Sequence, residues 1–153
     1  MGLVHDIGKL ILMTGAPTEY LEVINKVEAT GLIPVKAERQ VIGVDHTQTG
    51  KYLAEKWGLP FNYLDTIYFH HYPHLSKEDK TLTLIVFIGD LATNEVFSPY
   101  MKLPKFEIKS LINKVGIKPE EFIFSQEDWE ECLNFLKEKE SEIEEFFELM
   151  LDG

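Results

Sequence analysis

The chain has 153 residues, 44% hydrophobic and 12% aromatic, with 15 basic and 26 acidic side chains and a net charge of −11. This is enough for one domain with a real core and too little for two ordinary ones, and the composition excludes a disordered chain. The shortage of positive charge also excludes the basic stripe that displaces counterions from nucleic acid.

One cysteine, Cys132, rules out an internal disulfide and fits a reducing cytoplasm. Asp6 and the lack of a basic stretch ahead of the first apolar residues are unlike a secretory signal. The longest mostly apolar run, residues 82–92, falls short of the ~20 residues that a membrane span needs, and it contains Asp90. The expectation is a soluble cytoplasmic domain that binds neither nucleic acid nor membrane.

The hydrophobic pattern is helical throughout, with no period-2 run bounded by hairpin turns. A first helix is predicted over residues 1–13, with Leu3, Val4, Ile7, Leu10 and Ile11 around much of its surface. Pro17 suits the first turn of a second helix, which runs to about Thr30 and stops at Gly31. Pro34 opens a short third helix through Val41. The fourth is framed by Asp45 and Gln48 at capping-box spacing and closed by Gly58 and Pro60. Its residues His46, Gly50, Leu53 and Trp57 share one face, so His46 is expected to point into the core.

A fifth helix is predicted over residues 61–71, ended by Pro73, and a sixth over residues 77–97. The sixth is apolar enough in its middle to be central. Residues 98–118 read as a looser connection with a short helix near residues 108–115. The last helix, from about Gln126 to Met150, places Trp129, Leu133, Leu136, Ile143, Phe147 and Met150 at alternating steps of three and four, interrupted by Glu140. That stripe is expected to pack on its own domain. Residues 126–153 hold eleven acids against Lys137 and Lys139, so the remainder of the chain is nearly balanced in charge. A charge run of this kind on a helix is usually its solvated face.

Four of the five histidines stand beside other candidate ligands: His5 next to Asp6, His46 at a helix start, and His70 next to His71 at a helix end. Asp90 lies within an apolar run, where a carboxylate is costly to bury without a cation or strong donors. Imidazole and carboxylate together suit Fe, Mn, Ni or Zn. Singly, each residue has a plainer explanation. Asp6 and Lys9 can form a surface pair, His70 and His71 can complement a helix dipole, and Asp90 can bond a hydroxyl such as that of Thr83.

The run Gly2-Leu3-Val4-His5-Asp6-Ile7-Gly8-Lys9-Leu10 resembles the signature helix of the HD superfamily of metal-dependent phosphohydrolases. Glu38-Arg39-Gln40, then Gly43-Val44-Asp45-His46-Thr47-Gln48-Thr49-Gly50 and Trp57-Gly58-Leu59-Pro60, resembles the HD-related output domain (HDOD), a bacterial signalling module of that superfamily. His70-His71-Tyr72-Pro73 and Ile88-Gly89-Asp90-Leu91-Ala92 continue the likeness in order, so that it spans residues 1–97.

The resemblance implies an all-α, HD-like multi-helix bundle with a long acidic C-terminal helix. Its divisions are a core over residues 1–97 that lacks upstream helices, a connecting segment over 98–125 and a terminal helix over 126–153. It also implies metal ligands at His5, Asp6, His46, His70, His71 and Asp90, with Lys9 placed to meet a substrate phosphate. No histidine precedes His5, and no Gly-Tyr-Pro extension follows His70-His71. These departures favour a non-catalytic signalling domain that acts through a protein partner, with a divalent-metal phosphohydrolase as the alternative. Apolar faces left open on the first and sixth helices would favour a homodimer.

Overall fold

The computed structural model describes residues 1–97 and 125–151. The described residues form seven α-helices and one 3-10 turn, with no strand among them. The expected all-α class is therefore observed, and no described helix is long and apolar enough to cross a membrane. The connection and short helix predicted within residues 98–124 lie outside the described residues.

The helices are α1 (Ile7–Gly15), α2 (Pro17–Thr30), α3 (Pro34–Val41), α4 (His46–Lys56), α5 (Phe61–Phe69), α6 (Lys80–Phe97) and α7 (Gln126–Leu151), with the 3-10 turn at Pro73–Leu75. Local chemistry accounts for most boundaries. Pro17 and Pro34 occupy first-turn positions, where a missing N–H costs nothing. Gly31 ends α2 at φ +66°, a left-handed conformation that glycine adopts without penalty. Asp45 caps α4 through a complete capping box: its side chain accepts from the N–H groups of Thr47 and Gln48, and the Gln48 side chain accepts from the Asp45 N–H.

Three boundaries differ from expectation. Residues 1–6 form turns ahead of α1, so His5 precedes the helix and Asp6 holds its N-cap position. Leu3 is almost fully exposed there and anchors nothing. α5 ends at Phe69, so His70 is its C-cap. α6 starts at Lys80, after Asp79, whose Oδ1 accepts from the Leu82 N–H at 2.9 Å. Asp65 holds the segment before it, accepting from Ser76 Oγ at 2.6 Å and from the Lys77 N–H at 2.9 Å.

The chain divides into two compact units, Met1–Gly89 and Asp90–Gly153. In the first unit α4 packs against α1 on one side and α5 on the other, while α2 packs on α3 and α1. Ala54, Leu64 and Ile67 make a small apolar core at the α4–α5 contact, with Met1 and Leu59 packed against it. Leu12, Val23, Val35 and Ala37 are also buried. Trp57 departs from the face predicted for it: it is the C-cap of α4 and more than half exposed, because the buried stretch of that face ends before it. Leu10 and Met13 of α1 and Ile85 of α6 are exposed.

α1 and α4 approach until their backbones touch. A Cβ added at Gly8 would sit 1.9 Å from the His46 carbonyl oxygen and 2.7 Å from the Gly50 nitrogen. A Cβ at Gly50 would meet the Gly8 nitrogen at 3.2 Å. Only glycine permits this crossing at position 8, and the crossing carries Asp6 to the start of α4.

In the second unit, α7 opens on a reciprocal cap. Ser125 Oγ accepts from the Asp128 N–H at 3.1 Å, and Asp128 accepts from the Ser125 N–H at 2.6 Å. Bonding to the Ser125 hydroxyl and N–H lowers the Asp128 carboxyl below its usual range. Among the stripe residues whose burial is described, Trp129 is buried and Leu133 and Leu136 are half-buried.

Candidate metal centre

Side chains from three segments converge in the unit Met1–Gly89. Asp6 comes from the turn before α1, His46 from the first residue of α4, and His70 and His71 from the end of α5. One donor atom from each lies within 4.8 Å of all the others. Asp6 Oδ1 is 3.2 Å from His46 Nε2 and 3.5 Å from His70 Nε2, and His46 Nε2 is 2.9 Å from His71 Nε2. In a tetrahedral site with bonds of about 2.0–2.1 Å the ligand atoms stand roughly 3.3 Å apart, a spacing that these distances straddle.

Protonation within the cluster is set by what holds the far side of each ring. His46 is fully buried, and its Nδ1 meets Glu38 Oε2 at 2.7 Å. His70 is fully buried, and its Nδ1 donates to the Ile67 carbonyl at 2.8 Å. A carbonyl or carboxylate oxygen only accepts, so both Nδ1 atoms carry hydrogen. The Nε2 atoms of both rings then face the Asp6 carboxylate. His70 Nε2 and Asp6 Oδ1 are buried and make no hydrogen bond among the described residues. Nitrogen and oxygen atoms packed this closely away from water need a positive charge among them, supplied by a proton on a ring or by a bound cation. The donor set therefore fits a divalent metal bound by imidazole and carboxylate.

The electrostatics agree. Burial alone would raise the Asp6 carboxyl, but the His70 ring and the charges of Lys9, His46 and His5 hold it well below the usual carboxylate range. Lys9 Nζ lies 2.5 Å from Asp6 Oδ2, so the lysine that the resemblance places at a substrate phosphate is paired with a carboxylate of the cluster. His5 stands beside the four donors: its Nδ1 meets the Gly2 carbonyl at 2.6 Å, its Nε2 is 3.5 Å from Asp6 Oδ2, and its ring meets His70 edge-on. Asp90 opens the second unit, where its side chain accepts from Asn94 Nδ2 at 2.9 Å. The partners of Thr83 are instead Thr66, Ser76 and the Asp79 carbonyl.

Two residues of the site had no role assigned from sequence. Glu38 is fully buried on α3 and accepts from both the backbone N–H and the ring of His46. Tyr20 on α2 has its phenol pushed up to about 12, by burial first and then by the negative charges of Glu38 and Asp6. The available signal for Glu38 was its place in the quoted Glu38-Arg39-Gln40 block. Tyr20 offered none, because its neighbours are distant in sequence.

Comparison with known proteins adds a family. Residues 1–73 match the HDOD domain. An uncharacterised protein of Treponema pallidum (strain Nichols) is 30% identical over 108 residues, which cover 68% of this chain and 21% of that protein. The chain thus spans about a fifth of the length of that relative. No solved structure matches.

Proposed function

With residues 1–73 identified as an HDOD domain, we propose that the protein is a signal-transduction module. In this reading it holds one divalent cation on Asp6, His46, His70 and His71 and acts through protein contacts rather than catalysis. The observation that supports the metal is the pair of fully buried histidines whose Nδ1 protons are engaged elsewhere, leaving Nε2 toward a buried carboxylate oxygen. Such a cation would tie the start of α1 to α4 and α5, adding to the backbone contact of α1 with α4 and the small apolar core between α4 and α5. The pairing of Lys9 with Asp6 supports the non-catalytic half of the reading, since it occupies the lysine that the family resemblance offers to substrate. Asp90 enters from the sequence resemblance as a further carboxylate. A cytoplasmic setting, a bacterial signalling partner and self-association through exposed apolar residues such as Leu10 and Met13 complete the proposal.

The test is metal content, measured by mass spectrometry on protein purified without chelator or polyhistidine tag. About one equivalent of Fe, Mn, Ni or Zn, lost in His70→Ala, is the expected result. A bound ion also stabilises the folded state by mass action, about 2.7 kcal/mol at a hundredfold excess over Kd, so chelation should lower the melting temperature. Protein that is folded, metal-free and unchanged in melting temperature by added zinc sinks the metal.

One observation favours a second reading. Asp6 and His71 are only partly buried, so the centre reaches the protein surface on that side. A phosphate ester could complete the coordination there, and a metal of this kind polarises a phosphoryl group and activates water. Turnover of generic phosphomonoesters or phosphodiesters by metal-loaded protein, abolished in His70→Ala, would replace the non-catalytic reading with a phosphohydrolase. No turnover with Mn or Fe supplied leaves the signalling module standing.

A further inference from the structure

Glu38 has no accessible surface, yet it sits on a short helix that contributes no ligand to the four-donor cluster. A buried glutamate is rare and costly unless strong partners meet it. Here one oxygen, Oε2, receives both donors at the start of α4: the His46 backbone N–H at 2.9 Å and His46 Nδ1 at 2.7 Å. The other oxygen, Oε1, has no hydrogen bond among the described residues. The next residue repeats the grip one position earlier, since Arg39 Nε pairs with the Asp45 carboxylate that caps α4. Two consecutive residues of α3 thus hold the cap and the first residue of α4, Arg39 fixing the helix start and Glu38 the imidazole.

We infer that Glu38 is a positioning residue for the metal centre. It locks His46 in the Nδ1–H tautomer, orients Nε2 toward Asp6 and His71, and makes that nitrogen a better donor to a cation. The physical reason is general: a carboxylate bonded to the far nitrogen of a metal-binding imidazole fixes its ring and raises its basicity, and losing such a partner weakens metal binding about 10- to 100-fold. The inference rests on the metal-binding reading above, but its first consequence, the tautomer, is a property of the metal-free protein.

Long-range 1H–15N correlation spectra of the metal-free protein, recorded above about pH 8 where unperturbed histidines are neutral, test the tautomer. Zinc affinity by chelator competition tests the consequence. In the wild type the His46 signals should be those of an Nδ1–H ring. Glu38→Met removes the acceptor at similar volume, so the Nε2–H form should appear and zinc affinity should fall about 100-fold. Glu38→Gln keeps an accepting oxygen but no charge. It should restore the Nδ1–H form while binding zinc about tenfold more weakly than wild type.

An Nε2–H ring in the wild type, or Glu38→Met with an unchanged tautomer and zinc affinity within about twofold of wild type, overturns the inference. Should Glu38→Met not fold, zinc affinity within about twofold for Glu38→Gln does the same. If the wild type binds no metal, the proposed function fails, and the inference fails with it as a statement about metal. The spectra then still decide whether Glu38 sets the His46 tautomer.

Discussion

In the unit Met1–Gly89 much of the candidate site is inside: Glu38, Asp45, His46 and His70 have no accessible surface, and each has a named partner. In α7 most of the ionisable groups whose burial is described are outside. Glu127, Glu130, Glu131, Lys137 and Glu138 are exposed, and Trp129 is buried. The acidic helix dominates the net charge of −11, while the unit with nearly balanced charge carries the candidate site. The number of charged residues in a segment says little about its chemistry. What counts is how much burial each charge has had to offset.

That contrast can be broken experimentally at several strengths. The largest effect is expected where no side chain fits. Gly8→Val places branched carbon where even a Cβ lies 1.9 Å from the His46 carbonyl, so denaturant unfolding should show a loss of about 3 kcal/mol or more, or no folded protein. Next is Trp129→Ala, the one buried anchor named on α7; melting followed by circular dichroism should report about 3 kcal/mol. A loss as small as that of a surface change would mean that α7 does not rely on its apolar stripe.

Asp45→Ala removes a capping box and the Arg39 pair, and should cost about 1–2 kcal/mol near neutral pH. Burial would raise this carboxyl, but bonds from Thr47, Gln48 and Arg39 hold it below its ordinary value. A lowered folded-state pKa means that its stabilisation is fully present above the unfolded value of about 3.9 and fades as pH falls through the folded one. The gap between wild type and Asp45→Ala should therefore narrow below about pH 4. A gap independent of pH would assign the stability to shape rather than charge. The smallest effect is expected for Glu130→Gln, Glu131→Gln and Glu138→Gln together, within about 0.5 kcal/mol per site. A larger change would show that the acidic surface is more than a solvated face.

Much of the helical frame was legible from sequence because its punctuation is local. Pro17, Gly31, Pro34, the Asp45–Gln48 box and Gly58 each act within a few residues, and each falls where the structure uses it. The errors arose where a distant group decides the outcome. The segment before α6 is held by Asp65, more than ten residues earlier, which bonds Ser76 and Lys77 and leaves the cap to Asp79. Trp57 has the right helical angle but lies beyond the packed part of its face. Within the site, residue types and their neighbours named Asp6, His46, His70 and His71, whose donor atoms do converge. Glu38 stayed without a role because its meaning lies in a fold-dependent contact with His46. No periodicity encodes that contact.

The touching backbones at Gly8 and Gly50 carry one more consequence. Asp6 lies two residues before one of these glycines and His46 four residues before the other, so the gap between their donor atoms is tied to the separation of two helix axes. That separation is set by bare backbone and cannot shrink further. A bound ion would feel it as a gauge of ionic radius. Bonds of about 2.0–2.1 Å at tetrahedral angles, as zinc makes to imidazole, suit the observed spacing, which would widen only if the helices parted. A methyl group at position 8 that was tolerated only by such a parting would shift preference toward larger ions. The size of the ion accepted would then be written into two residues that never touch it.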